Sequence, residues 1–302
     1  MTTLHRILLT LVLSCAALVD ASGQISVDLH FNRTGFLRYE PILATIGITN
    51  LSGRDIVLED GSSQWFGFEI NEQSGSLAVG PRNPFYKLEP LEIKAGASLK
   101  RTVNLNTLFP INELGRYRVK GVIYFKELDR YFGSKPAFLD IFDGQVMWRQ
   151  NVGVPPGQPN AGDTHSLSIL TSRMGEHQYT YARVEDPRSG FVFCTYRLGQ
   201  LIHDQPPQMQ VDAANNLFVL QFTTPRAYLL SKISPNGEFL GQTNYTSSKS
   251  RPYLRRLPSG ELQIVGGIRQ APTTPDAIPT EMIVPKISDR PPGLPPAPAS
   301  NP

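Results

Sequence analysis

Residues 228–245, YLLSKISPNGEFLGQTNY, contain the pattern that decides the fold of the second half of this chain. Residues 181–196, YARVEDPRSGFVFCTY, repeat its features: an alternating apolar run, a Pro/Gly turn, a second apolar run and a closing Tyr. Alternation of apolar and polar residues is typical of half-buried β-strands, and Gly or Asn supplies the positive φ of the turn between them. The sequence therefore predicts a repeated β unit.

The residues downstream extend this repeat at an offset of about 45 positions, a period typical of β-propeller blades. Residues 206–222 match residues 251–267, and the stretch VDAANNLFVL, residues 211–220, resembles the inner hairpin of NHL-type propellers. The resemblance implies a propeller-like module. The aligned pairs are Pro207 with Pro252, Met209 with Leu254, Leu217 with Leu262 and Val219 with Ile264.

Each unit is predicted to contain four strands. Residues 165–170 are predicted to form one further strand, which is not enough for another blade. A closed propeller needs about four blades or more, so two units cannot close. We expect the units to pack against each other and the first domain, or to associate between chains; chance likeness of unrelated hairpins is the alternative. The predicted strands are 179–184, 191–196, 209–212 and 217–222 in the first unit, and 228–233, 239–245, 253–257 and 261–265 in the second.

The preceding part, residues 24–152, contains short runs of β-branched and aromatic residues separated by turn signals, a pattern that indicates a β-sandwich. The stretches RYEPILATIGITNLSGRDIVL and ELGRYRVKGVIYF resemble the opening and the E–F corner of extracellular Ig-like domains. The resemblance implies that Gly115 permits a tight bend and that the Tyr117 hydroxyl bonds the backbone. Val119 stands where such domains usually have Cys, so a disulfide-free Ig-like sandwich is expected; another two-sheet β fold is the alternative.

The N-terminal segment has the layout of a secretory signal peptide, residues 1–23, with cleavage expected after Gly23. A basic start is followed by an apolar run that is short for a membrane span, although an N-terminal anchor helix is an alternative. The sequence VLSC loosely resembles a lipobox, which would make Cys15 a lipid anchor. The mature chain is thus expected to be secreted, periplasmic or envelope-associated, without a transmembrane span.

The predicted organisation is a signal peptide, a sandwich, a linker, a propeller-like module and a tail. The tail is rich in Pro and is expected to be extended or disordered. The net charge of +3 is spread along the 302 residues, which argues against nucleic-acid binding. The predicted boundaries are 1–23, 24–152, 153–163, 164–271 and 272–302.

Few residues suggest chemistry, and we predict no catalytic, cofactor-binding or metal-binding residue. Three titratable pairs have residue types that can bind a metal, although each pair is expected to consist of ordinary polar residues at the surface. Cys194, in a strand-like run, is expected to be a small buried apolar residue. The titratable pairs are Asp163 with His165, Glu176 with His177 and His203 with Asp204; the basic residues considered are Arg251, Arg255 and Arg256, and the glycosylation sequons begin at Asn32, Asn50 and Asn244.

These features favour a secreted or envelope-associated, non-catalytic binding or structural protein, because such domains commonly bind protein or glycan through loops and edges. Association between chains to complete the repeat module is a further expectation. The alternatives are a metal-dependent envelope hydrolase that uses Asp163, His165 or His203, and an inhibitor of proteases built on the Ig-like domain.

Overall fold

The computed structural model describes residues 24–73, 78–82, 89–202, 205–247 and 250–270. The predicted signal peptide, Cys15 and the tail at 272–302 lie outside these residues, as do His203 and Asp204. No helix in the described ranges is long and apolar enough to cross a membrane.

The N-terminal part is a β-sandwich, as the sequence predicts. One sheet has the strand order β1-β3-β7, the other has the order β2-β10-β8-β5 with β9 paired to β8, and β4 pairs with β6. The strands are β1 Ile25–Phe31, β2 Gly35–Leu37, β3 Leu43–Asn50, β4 Ile56–Leu58, β5 Phe66–Glu72, β6 Leu91–Ile93, β7 Ser98–Asn104, β8 Gly115–Phe125, β9 Arg130–Gly133 and β10 Ala137–Phe142; α1 is Leu105–Leu108, and a short 3-10 helix covers Lys126–Leu128.

The two sheets approach closely where β3 faces β8. A Cβ atom on Gly121 would lie 2.7 Å from Ile46 Cδ1, so only Gly fits there without moving Ile46. Trp65 and Phe66 fill the core beside them and are almost fully buried. The corner before β8 forms as expected: Gly115 has φ +141, and the buried Tyr117 hydroxyl donates to the Glu113 carbonyl over 2.9 Å.

The C-terminal part consists of antiparallel sheets that follow one another along the chain. The first has the order β11-β12-β13-β14, the second has the order β15-β16-β17-β18-β21, and β19 pairs with β20 in a final hairpin. The strands are β11 Gln145–Gly153, β12 Thr164–Met174, β13 His177–Glu185, β14 Val192–Gln200, β15 Gln208–Val211, β16 Leu217–Thr224, β17 Ala227–Ile233, β18 Phe239–Thr246, β19 Tyr253–Arg256, β20 Leu262–Val265 and β21 Ile268–Arg269.

The eight predicted strands of the repeat are all present, but they are divided between the sheets differently from the prediction. The sequence grouped β13 and β14 with β15 and β16, whereas the structure places the first two in one sheet and the last two in the next. β11 and β12 complete the first sheet, and residues 153–163 connect these two paired strands through backbone bonds between Val154 and Asp163 and between Gly162 and Val154. The offset of a repeat shows how far apart corresponding strands lie in the sequence. It does not show which strands hydrogen-bond to one another, so the strands that belong to each sheet remain undetermined.

The propeller-like module is an open stack with both ends covered. The first sheet packs against the second through a buried cluster that includes Ile169, Val184 and Val219. Its other face packs on the sandwich, where Leu37, Leu170 and Tyr181 form a small buried cluster. The outer face of the second sheet packs on the β19–β20 hairpin through Leu254 and its apolar neighbours.

Candidate functional site

A cleft of about 310 Å³ lies where loops of the sandwich meet β14, the edge strand of the first module sheet. Residues from separate parts of the chain line it, and none of these lining residues is Asp, Glu or His. The lining residues are Tyr39, Pro41, Arg82, Asn104, Asn106, Pro110, Asn112 and the run from Gly190 to Tyr196.

Tyr39 has a backbone conformation that a bulky residue adopts rarely. Its φ is +66, in the left-handed region, and its ring lies over the Arg183 guanidinium at 5.4 Å. The neighbouring Glu40 side chain is 2% exposed and forms a bidentate ion pair with Arg33, with contacts of 2.5 and 3.1 Å. Glu40 Oε2 also accepts from the Leu37 backbone N–H over 2.9 Å. The Arg33–Glu40 ion pair therefore braces the loop that contains the strained Tyr39, one of the residues that line the cleft.

Asn106 lines the cleft, and its side-chain oxygen is a buried acceptor without a partner among the described residues. Its side-chain Nδ2 donates to the Glu40 carbonyl, which fixes the orientation of the amide. The amide Oδ1 then has no hydrogen-bond partner among the described residues, although Asn106 is only 9% exposed. Asn104 supports this position, since its Oδ1 accepts from the backbone N–H groups of Ile42 and Asn106 at 3.0 and 3.2 Å. A buried acceptor without a donor costs free energy unless a ligand or water supplies one.

Arg183 places a buried positive charge behind the cleft wall. It is 8% exposed, its Nε donates to Thr195 Oγ1 over 3.0 Å, and its Nη2 donates to the Arg38 carbonyl over 2.8 Å. Burial lowers the pKa of Arg183, and the carboxylates Glu185 and Asp143 act on its charge from a distance. Within the described ranges no carboxylate lies inside ion-pair distance of Arg183, whereas Glu185 pairs with Arg149 at 3.1 Å.

Arg183 belongs to one polar row that crosses all four strands of the first sheet. The row runs from Arg149 through Ser168 and Arg183 to Thr195, which are direct neighbours in the strand register. Within this row, Arg149 Nε donates to Ser168 Oγ over 3.1 Å, and Arg183 Nε donates to Thr195 Oγ1. The bond from Arg183 thus orients the hydroxyl of Thr195, which lines the cleft.

The edge of β14 at the cleft is irregular. The pairing of β13 with β14 shifts register twice, and Phe193 and Leu198 are the extra residues on β14. Phe191 and Phe193 contact edge to face, with ring centroids 5.0 Å apart, beside the cleft. The Tyr196 hydroxyl donates to the Gly237 carbonyl over 2.9 Å, so this ring is tied to the second sheet.

The two titratable pairs that the structure describes, Asp163 with His165 and Glu176 with His177, are not among the residues that line this cleft. His165 is 1% exposed, bonds the Pro235 carbonyl through Nδ1 at 2.7 Å, and lies against Phe193. Asp163 and Glu176 are exposed, and the exposed His177 contacts the Gln200 amide at 3.1 Å. Among the described residues, no three His, Cys, Asp or Glu side chains come together as metal ligands would.

The basic residues and sequons take separate positions. Arg255 and Arg256 point to opposite faces of the hairpin, because Arg255 bonds Gln263 while Arg256 bonds the Val211 carbonyl. Arg251 is exposed before β19. Asn32 and Asn244 are exposed, but Asn50 is fully buried and its Nδ2 donates to two backbone carbonyls, so a glycan on Asn50 is incompatible with this fold.

Cys194 is a buried thiol, as expected, and burial raises its pKa to about 12. A thiol with so high a pKa is almost entirely protonated at neutral pH and reacts slowly. In a Cys15→Ser chain, Cys194 is the sole remaining thiol. We expect Ellman's reagent to modify this thiol roughly 100-fold more slowly in the native chain than in urea, because reaction requires local opening. Native modification at the rate of glutathione would show that the thiol is accessible from the cleft.

Comparison with known proteins assigns no family to this chain. No family model matches the sequence, and a search of curated proteins returned no match. Among solved structures, the chain is similar to the crystal structure of Spo0M, a sporulation control protein from Bacillus subtilis, with 8% sequence identity and a TM-score of 0.27. The match covers 58% of this chain and 89% of that chain. A likeness this weak carries no argument about function.

Proposed function

We propose that this chain is a secreted or envelope-associated, non-catalytic binding protein whose cleft holds a protein or glycan ligand. The layout of residues 1–23 supports the compartment. The lining supports binding over catalysis, because its described residues offer amides, rings, hydroxyls and a guanidinium for hydrogen bonds, and none of them has a carboxylate or imidazole to act as a general base.

The observation that carries this proposal is the buried, unpartnered Asn106 Oδ1 beside the strained Tyr39. Both features cost stability, and both residues line the same cleft. Backbone strain and unsatisfied polar groups cluster at sites where a ligand compensates them. The Arg33–Glu40 pair, which braces the loop at residues 37–41, keeps Tyr39 in place before the ligand arrives.

Substitution of Tyr39 by Gly tests the proposal. We expect Tyr39→Gly to keep or raise the melting temperature, since Gly adopts the positive φ without strain. Loss of the ring should reduce ligand retention by about 10-fold or more, as loss of a central aromatic contact does. The measurement is retention of soluble envelope components of the host by the immobilised chain, quantified for both chains.

Arg226→Gly is the matched control for this experiment. Arg226 also has a positive φ, +74, but it lies exposed in the turn between β16 and β17. The control should gain stability in the same way and retain the ligand at the level of the original chain. Equal retention by all three chains would remove the cleft as the binding site.

A further inference from the structure

We propose that the ligand of the cleft is an anionic saccharide, with its acidic group near Arg82 and a sugar hydroxyl on Asn106. This inference rests on the proposed function and names the class of its ligand. It combines the charge of the cleft, the unpaired acceptor and the shape of the β14 edge, each of which restricts the ligand in a different way.

The charges around the cleft favour an anion. Arg82 lines the cleft and donates from Nε to the Asn106 carbonyl over 3.1 Å, so its guanidinium is held at the wall. Arg183 lies behind Thr195, and Arg38, which is near enough to lower the pKa of Arg183, has a buried Nε without a partner among the described residues. The nearby Glu40 is already paired with Arg33. Among the described lining residues of the cleft, Arg82 is the only charged one, and an acidic ligand balances its positive charge.

The unpaired acceptor requires a donor on the same ligand. Asn106 Oδ1 can only accept a hydrogen bond, and ionised carboxylate and sulfate groups carry no donor. A free sulfate or a simple carboxylate ion would therefore leave this oxygen unsatisfied. Sugar hydroxyls donate and accept, so a saccharide with an acidic group satisfies both Asn106 and the guanidinium groups.

The rings and the edge of β14 favour a saccharide over an extended peptide. A peptide that adds to a sheet edge needs a regular row of backbone donors and acceptors. The extra residues Phe193 and Leu198 interrupt that row on β14, and such bulges are a device that prevents edge pairing. Tyr39 and Phe191 instead supply apolar ring surface, against which the C–H face of a sugar can pack.

Titration calorimetry of the full chain with four soluble probes tests this inference at low and at physiological salt. The probes are tetragalacturonate, a sulfated heparin tetrasaccharide, neutral cellotetraose and hexaglutamate. We expect one or both acidic saccharides to bind at least about 10-fold more tightly than cellotetraose and hexaglutamate, with weaker binding at higher salt. The first two probes distinguish a carboxylate from a sulfate as the acidic group.

Arg82→Gln should weaken binding of the acidic saccharide by at least about 10-fold. Arg255→Gln is the matched control, because it removes the same charge from the exposed hairpin and should leave affinity unchanged. Asn112→Ala is a second cleft variant, to be used if Arg82→Gln fails to fold. This change leaves the hydrogen bonds of Asn104 and Asn106 in place, and it too should weaken binding.

Each other outcome overturns the inference. Equal binding of cellotetraose removes the need for an acidic group, and binding of hexaglutamate alone identifies an acidic peptide as the ligand. If no saccharide binds while retention of envelope components still depends on Tyr39, the ligand class is wrong and the proposed function stands. If neither binding nor Tyr39-dependent retention is seen, the proposed function fails as well.

Discussion

Tyr181→Ala is expected to lower the free energy of unfolding by about 3–5 kcal/mol, the usual cost of truncating a large buried ring. Tyr181 is fully buried between the first module sheet and the sandwich, where it packs with Leu37 and Leu170. Burial raises the pKa of its hydroxyl above the ordinary range, and that hydroxyl contacts Met174 Sδ at 3.6 Å. Truncation opens a cavity at the contact that joins the two halves of the chain.

Urea unfolding followed by fluorescence checks this expectation, with Tyr253→Ala as the matched control. Tyr253 is 44% exposed on the terminal hairpin, so its truncation should cost within about 0.5 kcal/mol. Because Tyr181 lies between the halves, its truncation should also separate their unfolding transitions. Similar small losses for both variants would mean that the sandwich does not depend on this contact.

Glu40→Gln is expected to destabilise the chain by about 3 kcal/mol and to weaken ligand retention. Removing one partner of a buried ion pair leaves the other charge uncompensated, at a cost of roughly 3–5 kcal/mol. The lower figure applies here because the Arg33 side chain keeps 22% exposure and can be partly hydrated. Retention should fall because the ion pair holds the loop that presents Tyr39.

Two comparisons make the Glu40 measurement specific. Glu127→Gln removes a carboxylate from the exposed pair with Arg54 and should cost less than about 1 kcal/mol. The double variant Arg33→Met with Glu40→Gln should lose less stability than the two single changes added together, since no charge remains buried. An additive double variant would indicate that the two side chains act independently.

The positions of the strands could be predicted from the sequence, while their grouping into sheets could not. Alternation in residues 228–245 and in the matching segments marks strands because side chains point to opposite faces in turn. Sheet membership depends on contacts between distant segments, so β13 and β14 were grouped with β15 and β16 rather than with β11 and β12. The Tyr117 corner was predictable, because it is built from residues close together in sequence.

The cleft itself could not be predicted from local motifs. Its lining comes from the segment around Tyr39, from Arg82, from residues 104–112 and from residues 190–196, and only folding brings these together. The loop strain at Tyr39 has no sequence signature, because Tyr rarely adopts a positive φ. The sequon at Asn50 shows the converse case, in which a local motif suggests a site that the fold does not provide. The motif marks Asn50 for glycosylation, but the folded chain buries this side chain and uses it in hydrogen bonds to the backbone.

Because both ends of the propeller-like module are covered, a further sheet can be inserted between them without closing a ring. In a closed ring every blade takes a set share of the circle, so adding one forces all the others to shift. Here each sheet has only to match the neighbour on either side, with the sandwich at one end and the β19–β20 hairpin at the other. Duplication of one unit between these ends would lengthen the protein by a sheet while leaving the cleft at β14 unchanged.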